Sequence, residues 1–244
     1  MTPVGNPRWH MACLLSLFSF GIPAFSQSVE DVFPIEPEDG AVVGHRPKFR
    51  LGVEGSDIMK MRFRIELSRD GFRSVDYNFD QIDDRNGWAF ITSGFDEQGA
   101  LFVIRSPLKG GVYEWKAYAW NGVDWIEGDQ VHRLTVDTVP PAAVESLRLS
   151  LDRDRERVLL NWQPVLWDQQ GNSENVTRYH VYRYHRPSFS AFRTHEIAQV
   201  DDIFFEDEDA IEMGLRTVFY RITAEDEAGN QPKWPRRRIA ARDP

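Results

Sequence analysis

Any reactive site in this chain would have to be assembled from its six histidines, its 38 acidic residues and its single cysteine. His180 and His185 are five apart on or near one predicted strand, a spacing that sends them to opposite faces. His45 and His132 have no sequence neighbours able to complete a metal site. The sequence holds no Gly-x-Ser-x-Gly elbow, no His-Glu-x-x-His pair and no phosphate-cradling glycine loop. Cys13 sits in an N-terminal apolar run, so a chain that loses this run has no thiol nucleophile. Asp201, Asp202, Glu206, Asp207, Glu208 and Asp209 could offer oxygen to calcium, but they lack the spacing and internal glycine of a calcium loop and read as solvated surface. On these residues the chain is expected to be no enzyme and to hold no metal or cofactor.

A different kind of chemistry is available to its aromatics and arginines. Along residues 112–120 (VYEWKAYAW), strand alternation turns Tyr113, Trp115, Ala117 and Ala119 inward and Lys116, Tyr118 and Trp120 outward. Arg62 and Arg64 are the outward residues of residues 61–67 (MRFRIEL), whose Met61, Phe63, Ile65 and Leu67 share the other face. Trp120-Asn121-Gly122-Val123-Asp124-Trp125 reads as a hairpin tip flanked by two tryptophans. Arg62, Arg64, Tyr118, Trp120 and Trp125 are therefore the candidate binding residues. Arginine and tryptophan are enriched where proteins bind proteins, and flat rings also stack on sugars. The competing arrangement lays the guanidinium groups over the rings as a cation–π cover, which needs no partner.

The elements that position these residues are strands. In the first half, residues 47–53, 61–67, 100–104, 112–120 and 132–136 have apolar runs of strand length bounded by turn residues. In the second half, 146–151, 157–162, 178–184, 195–200 and 218–225 do the same. Helical periodicity is weak throughout. Pro140-Pro141, which cannot donate to a ladder, separates the halves. The halves also align with each other: residues 113–119 (YEWKAYA) lie over 218–224 (VFYRITA), which suggests a tandem repeat.

Composition sets the outer limits. A chain of 244 residues with 8 Trp, 16 Phe and 7 Tyr has too much buriable surface to be disordered, and room for two domains of about 100 residues each. Arg8 precedes the apolar residues 11–25, a run too short to span a bilayer, and Ala24-Phe25-Ser26 suits a signal-peptidase cut before Gln27. The expected organisation is a signal peptide over 1–26, a first domain over 33–138 and a second over 141–242. Loss of Arg8 would leave the remainder one unit more acidic than the chain's −9, which argues against a nucleic-acid partner. Residues 233–242 (KWPRRRIAAR) are the basic exception and read as a solvated last strand and tail.

At these residues the chain resembles the fibronectin type III family. In the second half the likeness is carried by the Pro140-Pro141 entry, by residues 158–162 (VLLNW) with their core Trp162, by 179–183 (YHVYR) and by 220–230 (YRITAEDEAGN). The first half is a looser, Ig-like relative, with Pro37-Glu38-Asp39-Gly40 and residues 108–113 (LKGGVY) in corresponding places. The resemblance implies an all-β fold of two tandem antiparallel sandwiches. It also implies a tyrosine corner at Tyr113 and none at Val218. The function it implies is that of an exported interaction or spacer protein of a bacterial cell envelope or exterior, secreted, periplasmic or on the surface. The expected partner is an envelope or extracellular protein. The alternative is a carbohydrate-binding module that takes polysaccharide on the aromatics of domain 1. After signal cleavage no stable membrane insertion is expected.

Overall fold

The computed structural model describes residues 29–55, 61–80, 90–96, 99–212 and 217–233. The expected signal peptide lies outside them, as does the basic stretch beyond Lys233. No helix among the described residues is long and apolar enough to cross a membrane.

The chain forms two β-sandwiches in sequence. In the first, β1 (Asp31–Glu36), β3 (Lys48–Glu54), β7 (Gly99–Ile104) and β6 (Phe90–Asp96) make one sheet in that order. The facing sheet runs β2 (Ala41–Val43), β10 (His132–Val136), β8 (Gly111–Trp120), β4 (Arg62–Ser68) and β5 (Tyr77–Asp80), and β9 (Trp125–Glu127) pairs with the end of β8. The pairings are antiparallel except that β2 runs parallel to β10. Alternation on β4 buries Met61, Phe63, Ile65 and Leu67 against Phe49, Phe102 and Trp115 from both sheets. Phe49 meets Trp115 edge-on at 5.0 Å, and Phe63 meets Phe102 edge-on at 5.4 Å. Side chains of this kind each contribute about 1.5–3 kcal/mol through burial, and edge-to-face contact adds to that. The Tyr113 hydroxyl donates to the Lys109 carbonyl at 3.0 Å, closing the corner. Burial pushes the Tyr113 phenol up to about 12.

In the second sandwich β11 (Arg148–Asp152), β12 (Arg157–Asn161) and β15 (Phe204–Asp207) form one sheet. The other is β14 (Glu196–Val200), β13 (Val176–Tyr184) and β16 (Phe219–Asp226). A single helical turn, α1 (Asp209–Glu212), follows β15. Leu160, Trp162, Tyr179, Val181, Ile222 and Ala224 are its buried core, with Trp162 edge-on to Tyr179 at 5.5 Å. Val218 supplies no corner hydroxyl. Two residues on, the Tyr220 hydroxyl donates instead to Asp207 at 2.8 Å.

That bond corrects one sequence reading. The acidic run 201–209 is not uniformly solvated, because it contains β15. Asp207 is buried and ion-paired to Arg183, and Glu206 pairs with Arg157. A buried carboxylate is tolerated here because a cation and a hydroxyl satisfy its oxygens.

Candidate functional site

The candidate face of the first sandwich is built by three strands in register. Arg62 stands opposite Trp120 and Arg64 opposite Tyr118, while Trp120 pairs with Trp125 across the β8–β9 hairpin. Because directly opposed residues project to the same side of a sheet, these five side chains come together on the face away from the core. The hairpin tip is closed by Asn121, whose amide donates to the Asp124 carbonyl at 3.1 Å. Its side-chain oxygen accepts from the amides of Val123 and Asp124, both at 2.8 Å. Gly122 takes φ 101°, a left-handed conformation that other residues adopt only with strain.

The contacts divide the five residues into a covered pair and an accessible trio. The Arg64 guanidinium lies 4.1 Å from the Tyr118 ring centroid and 5.0 Å from that of Trp125. Its Nε also reaches Glu66 at 3.3 Å, and Glu66 accepts the Tyr118 hydroxyl at 2.9 Å. Tyr118 is thereby only 7% exposed. The expectation of an accessible Tyr118 is corrected: the ring projects outward, but Arg64 and Glu66 seal it. Burial, reinforced by the Glu66 bond, holds its phenol well above the usual tyrosine range. Lys116 is likewise engaged, ion-paired to Glu127 and 4.6 Å from the Phe72 ring centroid.

The accessible part is Arg62, which is exposed, with the half-buried Trp120 and Trp125 beside it. The two indoles meet at 5.5 Å with their planes 63° apart. This fixed corner, with a cation at its edge and the exposed Val123 at the tip, offers apolar area at little cost in side-chain ordering.

Two of the histidines weighed above have polar partners nearby. His132 Nδ1 lies 3.0 Å from the Pro37 carbonyl oxygen. His180 is buried between Glu196, at 3.3 Å from Nδ1, and Glu225, at 2.9 Å from Nε2. Sequence reasoning missed an acidic group at the junction of the sandwiches, where oxygens of Asp137, Glu174 and Asp226 lie within 4.8 Å of one another. These residues are far apart in sequence, so no spacing announces them. Burial raises the pKa of Glu174, and the neighbouring carboxylates of Asp226 and Asp137 raise it further. Burial raises that of Asp226, whose oxygens are held by the backbone and side-chain amides of Asn230.

Two tandem sandwiches with this order of strands define a fibronectin type III-like fold. The solved structure of chicken CNTN1 FN1-FN3 domains is similar to it, with a TM-score of 0.50 and 11% identity, over 84% of this chain and 61% of that one. The chain thus spans less than two thirds of this neighbour's length, and at this identity the likeness concerns the fold alone. No family model matches the chain, and no curated protein matches it.

Proposed function

We propose that this chain is an exported, non-enzymatic interaction or spacer protein that meets a protein partner through the Arg62–Trp120–Trp125 corner of its first sandwich. One observation carries the reading. On a face where Arg64, Lys116, Glu66, Tyr118 and Glu127 engage one another, two tryptophans on a hairpin fixed by its own hydrogen bonds, and an arginine on the neighbouring strand, stay accessible. Aromatic and arginine side chains clustered on a rigid frame are what protein-binding centres are made of. A fibronectin type III-like fold hosts such surfaces, though it prescribes no single function.

Export rests on the N-terminal sequence alone, and the native protein's intact mass tests it. The mature species should lack residues 1–26, and a species that keeps Met1 would refute export by this route. Binding is tested by the paired change Trp120→Ala and Trp125→Ala, which should leave the sandwich folded and remove the partner. Retention of immobilised polysaccharide, with no protein partner, would favour the carbohydrate reading of the same corner.

A further inference from the structure

The second sandwich opens a cleft of about 300 Å³ between the connection that enters it and the loop from β12 to β13, at the lower edge of the sizes that hold a ligand. Ala142, Ala143 and Glu145 line one side and residues 163–167 the other. The two walls are tied by their backbones. The Ala142 amide donates to the Trp167 carbonyl at 2.9 Å, and the Gln163 amide to the Glu145 carbonyl at 3.4 Å. The loop is also fixed from behind. The Val165 amide donates to the Tyr179 hydroxyl at 3.1 Å, the Glu174 amide donates to the Leu166 carbonyl at 2.9 Å, and the Asp168 carboxylate accepts from the amides of Gln170 and Asn172 at 2.7 and 2.8 Å. Yet this fixed backbone leaves Leu166 57% and Trp167 56% exposed, so folding orders both side chains without spending them on the core.

The groups on this lining suit a cation. Elsewhere the chain covers its rings with its own cations: Arg64 lies over Tyr118 and Trp125, Lys116 over Phe72 and Arg221 over Phe189. Trp167 has neither a cation nor a second ring against it among the described residues. The Glu145 carboxylate and the Gln163 side-chain amide, both exposed, have no hydrogen-bond or ion-pair partner among them either. A carboxylate only accepts, an amide oxygen accepts, and the face of an indole attracts positive charge. The lining holds no Lys, Arg or His, and Glu145 is its one formal charge. An anion therefore meets no counter-charge on it, whereas a cation gains from three groups and from the field of a chain whose net charge is −9.

We propose that this cleft takes an arginine side chain from a basic segment of a protein partner. The aliphatic stem packs on Pro164 and Leu166, and the guanidinium lies against the Trp167 indole. Its N–H groups donate to the Glu145 carboxylate and the Gln163 carbonyl oxygen. Arginine suits the cleft better than lysine, because a planar guanidinium stacks on a ring while its edge still donates. The site lies on the other sandwich from the Arg62–Trp120–Trp125 corner and does not depend on it.

The test is a titration of the full chain with the peptide acetyl-Gly-Ala-Arg-Ala-Gly-amide, following the Trp167 indole and the backbone amides of residues 143–145 and 165–168 by NMR. The same peptide with citrulline for arginine keeps the shape and loses the charge, and maltose offers a neutral sugar to the same ring. The arginine peptide should shift these signals saturably, with the citrulline peptide about fivefold weaker and maltose weaker still. Trp167→Ala should weaken the arginine peptide about fivefold, as loss of an exposed cation–π contact does. Trp167→Phe, which keeps a ring, should restore part of that loss. Glu145→Gln should weaken the arginine peptide about threefold and narrow its lead over citrulline. Both positions are exposed, so the melting temperature should hold within a few degrees. The proposal fails if the arginine peptide leaves these signals unmoved, if citrulline or maltose binds as tightly, or if Trp167→Ala and Glu145→Gln bind the arginine peptide like wild type. Self-association of the wild type that Trp167→Ala abolishes would assign the cleft to a second copy and overturn it as well.

Discussion

Tyr118 shows how far a single side chain departs from what its neighbours in sequence imply. Alternation along β8 assigns its direction, but not the guanidinium that Arg64 lays over it, because that contact depends on the register between β4 and β8. Two substitutions on one face should therefore behave differently. Tyr118→Ala removes a ring that is almost wholly buried and leaves Glu66 without its hydroxyl partner. It should destabilise the first sandwich by about 3 kcal/mol, near the low end for buried aromatic truncations. Trp120→Ala, two residues on and half-buried, should shift the melting temperature by only a few degrees. Equal losses in urea melts of the two variants would mean that Arg64 does not cover Tyr118.

Elements were readable where one face alternates over at least five residues. The stretches 61–67, 112–120 and 178–184 announce β4, β8 and β13 because large apolar residues recur every second position. The strands missed from sequence carry weaker signals. β1 is interrupted by Pro34, tolerable at an edge of the sheet. β2 and β9 have three residues each, too few to show a period. β15 hides inside an acidic run whose inward Asp207 is satisfied only by residues distant in sequence. The acidic junction group is illegible for the same reason, since the residue after β10, the β12–β13 loop and β16 each bring one member. Its consequence is a pH dependence. Glu174 has a raised pKa in the folded chain, so the cost of its charge is present in full above that pKa and vanishes below its ordinary value of about 4.3. Glu174→Gln should accordingly raise the melting temperature at pH 7. The gain should shrink as pH falls toward 4. A gain that stays constant with pH would show that neither burial nor the neighbouring carboxylates penalise its charge.

For the molecule as a whole, the two sandwiches meet around the Pro140-Pro141 connection through a specific polar contact. The Asn230 side chain of the second donates to the Asp137 carbonyl at the end of the first, at 3.2 Å. The central claim is that the Arg62–Trp120–Trp125 corner is the partner-binding surface. Its most direct test is side-by-side capture from the source cell's envelope and exterior fractions by the wild-type chain and by the triple variant Arg62→Ala, Trp120→Ala, Trp125→Ala, with melting temperatures measured on both. Truncating such side chains at a binding centre costs about 2 kcal/mol or more. The variant should therefore melt within a few degrees of wild type and lose at least about tenfold in affinity for whatever protein the wild type retains. A folded variant that retains the same protein at unchanged affinity would contradict the account.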